Sequence, residues 1–106
     1  MIREIDLAFI KLHILYHAAK EEVYGVGLVE ELSHHGYKLS FGTLYPILAK
    51  MLKMDLLSFE TRTVNHKQRK YYRITTAGLK ELEKVKAKIR ELYKEIIEDS
   101  SIGQDT

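Results

Sequence analysis

Two hydrophobic periods run along the chain, and the change from one to the other divides it into elements. Over residues 5–20 the apolar positions Ile5, Leu7, Ile10, Ile14, Leu15, Ala18 and Ala19 recur at helical spacing. Phe9, Leu12 and Tyr16 add apolar surface outside that stripe. A helix apolar on more than one side usually touches two things, such as its own core and a second subunit. Leu28, Val29 and Leu32 predict a second helix over 26–35. Gly36 should stop it, because glycine takes the left-handed backbone that closes helices. After a turn at Tyr37-Lys38-Leu39, Ser40 stands where an N-cap belongs, its hydroxyl able to take an orphan backbone N–H. A third helix over 41–54 follows, with Leu44, Ile47, Leu48, Met51 and Leu52 as its inward stripe. Pro46 falls early in it, removes one backbone donor and is expected to bend the first turn.

From residue 56 the period falls to two. Leu57, Phe59 and Thr61 alternate with Ser58, Glu60 and Arg62, which predicts a strand over 56–63. Residues 64–68 read as a polar tip, and 69–75 as the returning strand with Tyr72 and Ile74 inward. Two strands alone are marginal, so the hairpin must pack on the helices. Thr76 is the expected cap of a last helix reaching about residue 99. There Leu82, Val85, Ile89, Leu92 and Ile96 are spaced 3, 4, 3 and 4. This heptad seam is too short for an independent coiled coil and too long for one small domain to cover, so dimerisation is its expected use. Residues 100–106 are expected to be a flexible tail.

A length of 106 residues allows one domain and one core, and 45% hydrophobic content argues against wholesale disorder. With no cysteine, disulfides and thiolate metal sites are excluded. Met1-Ile2-Arg3-Glu4-Ile5-Asp6 is not a secretory pattern, and no apolar run approaches membrane-spanning length. A soluble cytoplasmic protein with no membrane partner is expected. The net charge of +2 is too small to argue for nucleic acid, but its distribution says more. Arg62, Lys67, Arg69, Lys70 and Arg73 lie in one stretch without a carboxylate, while Glu21, Glu22, Glu30 and Glu31 crowd another. That division suits a protein that meets a polyanion with one face. A solvated hairpin whose lysines keep an edge strand soluble explains it equally well.

Enzymatic chemistry finds no support. There is no glycine-rich phosphate loop and no nucleophile motif, and the carboxylate pairs are surface helix charges. His13 and His17 are spaced to share a metal, but no third ligand is evident, so neither a metal nor a cofactor is expected. His34 and His35 suit the negative end of a helix dipole when protonated. Tyr71 and Tyr72 read as strand formers with one ring buried, not as a stacking platform for single strands.

Helix, helix, turn, helix, hairpin, long helix is an α+β order, mainly α with a small β-hairpin. It is that of a winged helix–turn–helix over 5–75 with an added C-terminal dimerisation helix over 76–99. The third helix would enter the major groove with Ser40, Thr43 and Tyr45 at its leading end, Lys38 before it and Lys50 further along. His66, Lys67 and Arg69 at the hairpin tip would follow the neighbouring backbone or dip into the minor groove. Tyr24-Gly25, Gly42-Thr43-Leu44-Tyr45-Pro46 and the run Arg69-Lys70-Tyr71-Tyr72-Arg73-Ile74-Thr75-Thr76-Ala77-Gly78 together resemble the PadR family of transcriptional regulators, over roughly residues 8–98.

That resemblance implies a homodimeric, mostly repressing regulator of double-stranded DNA, of the small subfamily with a single C-terminal helix. It implies base contacts from Thr43 and Tyr45 and phosphate contacts from Lys67, Arg69 and Lys70. It also implies an interface built from the first and last helices, which here offer Phe9, Leu12, Tyr16, Leu82, Val85, Ile89, Leu92 and Ile96. A small aromatic effector between subunits is a further implication, with Phe9, Tyr16 and Tyr93 as candidate walls. A winged helix that binds protein, or a ligand-sensing dimer without DNA binding, is the alternative. Two positions depart from many relatives. Val26-Gly27 follow Tyr24-Gly25, and Gly27 should weaken the second helix by about 1 kcal/mol relative to alanine. Asp55 stands where glycine often ends the recognition helix, and aspartate tolerates the left-handed backbone required there.

Overall fold

The inward stripes converge on one core, drawn from every element except the last helix. In a computed structural model describing residues 1–99, the elements are α1 (Ile2–Lys20), α2 (Gly25–His34), α3 (Phe41–Lys53), β1 (Leu57–Val64), β2 (Lys67–Ile74) and α4 (Thr76–Tyr93), with a π-helical turn over Lys94–Glu98. Residues 100–106, read above as a tail, lie outside the described residues. Ile14, Leu28, Leu32, Leu44, Leu48 and Met51 are fully buried where the first three helices meet. Each such side chain contributes about 1.5–3 kcal/mol by leaving water. Leu57 and Tyr72 close the core from the hairpin, and Leu82 packs on it from α4.

The two helix stops ahead of the functional elements are built alike. After α2, the Gly36 N–H donates to the Ser33 carbonyl and the Tyr37 N–H to that of Leu32, with Gly36 at φ 88°. After α3, the Asp55 N–H donates to Leu52 and the Leu56 N–H to Met51, with Asp55 at φ 59°. Both are the paired back-bonds that close a helix through one left-handed residue. Asp55 thus fills a glycine's place, as its short polar side chain allows. Pro46 leaves α3 unbroken over Phe41–Lys53. It removes only the bond to the Gly42 carbonyl, at an exposed end of the helix.

β1 and β2 pair antiparallel from Leu57↔Ile74 to Val64↔Lys67. Asn65 and His66, at φ 51° and 66°, make the two-residue turn. The strands therefore run closer to the tip than the expected polar loop, because consecutive left-handed residues give a turn whose twist matches the strands. Val23, between α1 and α2, bonds both ways to Tyr72 (2.9 and 2.7 Å) and extends the hairpin by one bridge. Leu57, Tyr72 and Ile74 point inward as expected. Phe59 lies on the same face, paired across the hairpin with Tyr72, yet is half exposed.

The cap of α4 is Thr75, not Thr76. The Thr75 hydroxyl accepts the Gly78 N–H at 2.9 Å and donates to the Asp55 carbonyl at 2.5 Å, joining the start of α4 to the end of α3. Gly78 is buried there, and a Cβ would run into the Leu56 carbonyl. Beyond Val85, α4 leaves the core, and every residue from Lys86 to Asp99 is exposed. The molecule measures 62 × 28 × 20 Å as a result. The π turn is marked by the Asp99 N–H on the Lys94 carbonyl. Among the described residues no helix is long and apolar enough to cross a membrane.

Candidate nucleic-acid interface

Ser40 organises the leading end of α3. Its Oγ accepts the Thr43 N–H at 3.2 Å and donates to Thr43 Oγ1 at 3.2 Å, so two of the expected contact groups hold each other at the surface. Lys38 and Lys50 are exposed. Tyr45 is 47% exposed and stacks on Phe41 at 5.9 Å. Its hydroxyl lies 2.5 Å from where a Gly25 Cβ would stand, so the small residue at the start of α2 makes room for it. Tyr45 therefore packs at the edge of the domain and presents a ring to solvent. Burial, and then the nearby Tyr45, pushes the Tyr72 hydroxyl above its usual pKa.

Across from Tyr45 stands the hairpin. Lys67, Gln68, Arg69 and Lys70 share a cleft of about 390 Å³ with Tyr45, Tyr24, Gly25 and Val26. The Arg69 guanidinium lies 4.6 Å from the centre of the Tyr24 ring, and the Lys70 ammonium 4.6 Å from that of Phe59. Such contacts are worth about 0.5–1 kcal/mol at exposed sites and hold each cation's direction. Tyr24, Val26 and Gln68 escaped the sequence reading as site residues. The Tyr24-Gly25 pair was visible, but its position beside the hairpin depends on the Val23 bridge. His66 is exposed in the turn.

The basic stretch is narrower than its sequence implied. Glu22, from the segment counted apart, accepts from Arg62 Nη1 and Nη2 at 2.5 and 2.7 Å, and from Arg73 Nε at 3.3 Å. Arg62 also bonds Glu60. Hydrogen bonds from Arg62 hold the Glu22 carboxyl below its ordinary pKa, and the same bonds push Arg62 further up. Of the five cations, Lys67, Arg69 and Lys70 remain for a polyanion. Arg62 and Arg73 brace the hairpin against the α1–α2 connection.

Residues expected at an interface lie on one side of the molecule. Phe9, Leu12, Tyr16, Leu82 and Ile89 border a hollow of about 500 Å³ between α1, α2 and α4. Tyr93 is not brought to it; it borders a separate groove with Lys86, Ile89 and Arg90. Leu92 (52% exposed) and Ile96 (64%) continue the apolar side of α4, and Val85 is half-buried. The hollow also holds His13 and His17, and here the structure supplies what the sequence lacked, a third imidazole, from His35. Burial, then His35 and His17, hold His13 below the usual imidazole pKa.

Three helices, a turn before the third and a twisted cationic hairpin beside it define a winged helix–turn–helix. Residues 14–84 match the PadR-like family of transcriptional regulators. The transcriptional regulator Rv3488 of Mycobacterium tuberculosis is 44% identical over 96 residues, 91% of this chain and 90% of that protein. A PadR family regulator from Eggerthella lenta superposes with a TM-score of 0.79 at 32% identity, over 91% of this chain and 85% of its own. Bacillus subtilis PadR, crystallised with operator DNA, shares the fold with a TM-score of 0.65 at 24% identity, over 72% of this chain and 45% of its own. The chain belongs to the PadR-like family of transcriptional regulators, and it is not an enzyme.

Proposed function

We propose that two copies of this chain bind a pseudo-palindromic operator in double-stranded DNA and repress transcription from it, in the cytoplasm. The observation that carries this reading is the shared cleft of Tyr45 with Lys67, Arg69 and Lys70, which faces a helix end and a wing toward the same ligand. Thr43 and Tyr45 would read bases. Lys38, Ser40, Lys50, His66, Lys67, Arg69 and Lys70 would meet the backbone. The exposed apolar side of α1 and α4 supports pairing of two chains, which would set the recognition helices about 34–36 Å apart. A small aromatic effector would lie against Phe9 and Tyr16.

A mobility-shift series at several salt concentrations tests this on DNA upstream of its own operon. Lys67→Ala should weaken operator and random DNA alike and reduce the slope of log K against log salt by about 0.9 per subunit. Thr43→Ala with Tyr45→Ala should instead erode discrimination between the two. Equal, uniform loss from both changes would overturn these roles, and no DNA affinity even at low salt would favour a protein-binding winged helix.

A further inference from the structure

One group of titratable side chains lies outside the proposed DNA-binding surface. His13 and His17 lie one turn apart on α1, and His35 caps α2. One ring nitrogen from each falls within 4.8 Å of the others. The His13 and His35 rings stack at 4.2 Å. Glu31, one turn before His35, brings Oε1 to 3.3 Å from His17 Nε2 and 3.5 Å from His35 Nε2. Among the described residues His17 Nε2 is buried and makes no hydrogen bond, its charged neighbour being Glu31 Oε1 at 3.3 Å. A buried polar atom in that position calls for a partner, which a rotated Glu31, a water or a bound ion would supply.

The donor set identifies that partner's class. Imidazole suits divalent zinc, copper and nickel, while one carboxylate among three imidazoles is too poor in oxygen for calcium or magnesium. Tetrahedral zinc with bonds of about 2.0–2.1 Å places its ligand nitrogens roughly 3.3–3.4 Å apart. The three ring nitrogens lie within 4.8 Å of one another, so binding would draw them in by rotation about their χ angles. We propose that His13, His17 and His35, with Glu31 as fourth ligand, form a mononuclear site for a divalent late transition-metal ion such as Zn²⁺ or Ni²⁺. The ion would tie α1 to the end of α2, just ahead of the turn that leads into α3.

The experiment uses the full chain without an affinity tag, stripped with a chelator and titrated with Co²⁺ as a visible probe. The expected result is d–d absorption of a four-coordinate ion that saturates at one Co²⁺ per chain and is abolished by Zn²⁺. His13→Gln and His35→Gln should each weaken Co²⁺ binding at least tenfold with unchanged far-UV circular dichroism. His34→Gln, next in sequence but outside the cluster, should leave it unchanged. Zn²⁺ should raise the melting temperature of the parent chain and not of His13→Gln. No saturable absorption, a stoichiometry well below one, or equal loss from His34→Gln and His35→Gln would overturn the site. None of these readouts depends on DNA, so failure here and failure of the operator reading are separate results.

Discussion

Among the described residues, three hold a left-handed backbone without being glycine: Asp55, Asn65 and His66. For most side chains that conformation costs about 1–2 kcal/mol. His66 has the least local compensation, so His66→Gly should raise stability by about 1 kcal/mol in urea unfolding. If His66 also meets DNA, the same change will weaken operator binding, and the two measurements separate the roles. Gly27 is the reverse case. A Cβ there would stand 3.5 Å from the Tyr24 ring, an ordinary contact, so Gly27→Ala should stabilise α2 by about 0.5–1 kcal/mol. Thr75→Ala removes the cap of α4 and the tie to Asp55 and should destabilise by about 1–2 kcal/mol, with Thr75→Ser restoring most of it.

Between elements, the Glu22 cluster decides how the wing is held. Glu22 belongs to the α1–α2 connection, while Arg62 and Arg73 come from opposite strands, so one carboxylate fastens both strands to the helical body. Its pKa is depressed below the ordinary 4.5 by the Arg62 hydrogen bonds. The folded form thus takes up the proton later than the unfolded chain does. The stability this adds is present above the unfolded value and is lost as pH falls through the folded one. Glu22→Gln should melt below the parent at pH 7, and the gap should narrow as the pH falls below the ordinary carboxylate range. A gap that does not change with pH would mean the packing of Glu22, not its charge, matters. This cluster also explains why charge counting overstated the cationic surface: Glu22 and Arg62 lie 40 positions apart, and they meet where the Val23–Tyr72 bridge lays the α1–α2 connection beside the hairpin.

At the scale of the whole molecule, α4 projects beyond the domain with a bare apolar side. If that side pairs with a second copy, Leu92→Glu puts an unpaired carboxylate in the contact. The dimer dissociation constant should then rise at least roughly 30-fold, about 2 kcal/mol, in sedimentation equilibrium, with the monomer fold intact. A parent chain that sediments as a monomer would remove the pairing altogether.

Periodicity alone carried the helices, the hairpin and the centre of the inward stripe of α1, α2 and α3, because burial on one face imposes a repeat that can be read locally. The winged-helix order and the family followed from motifs such as Gly42-Thr43-Leu44-Tyr45-Pro46 for the same reason: each is a cap, a turn or a close approach within a few residues. Pairings between distant segments were beyond that reach. The chain contains His13, His17 and His35, yet their convergence depends on how α1 crosses the end of α2. Arg62 looks free in sequence, yet Glu22 neutralises it. Tyr24 meets Arg69 because a single bridge lays the connection along β2. Local backbone chemistry follows from adjacent residues, whereas charge neutralisation, cation stacking and ligand convergence are set by distances in space that only the packed helices and hairpin define.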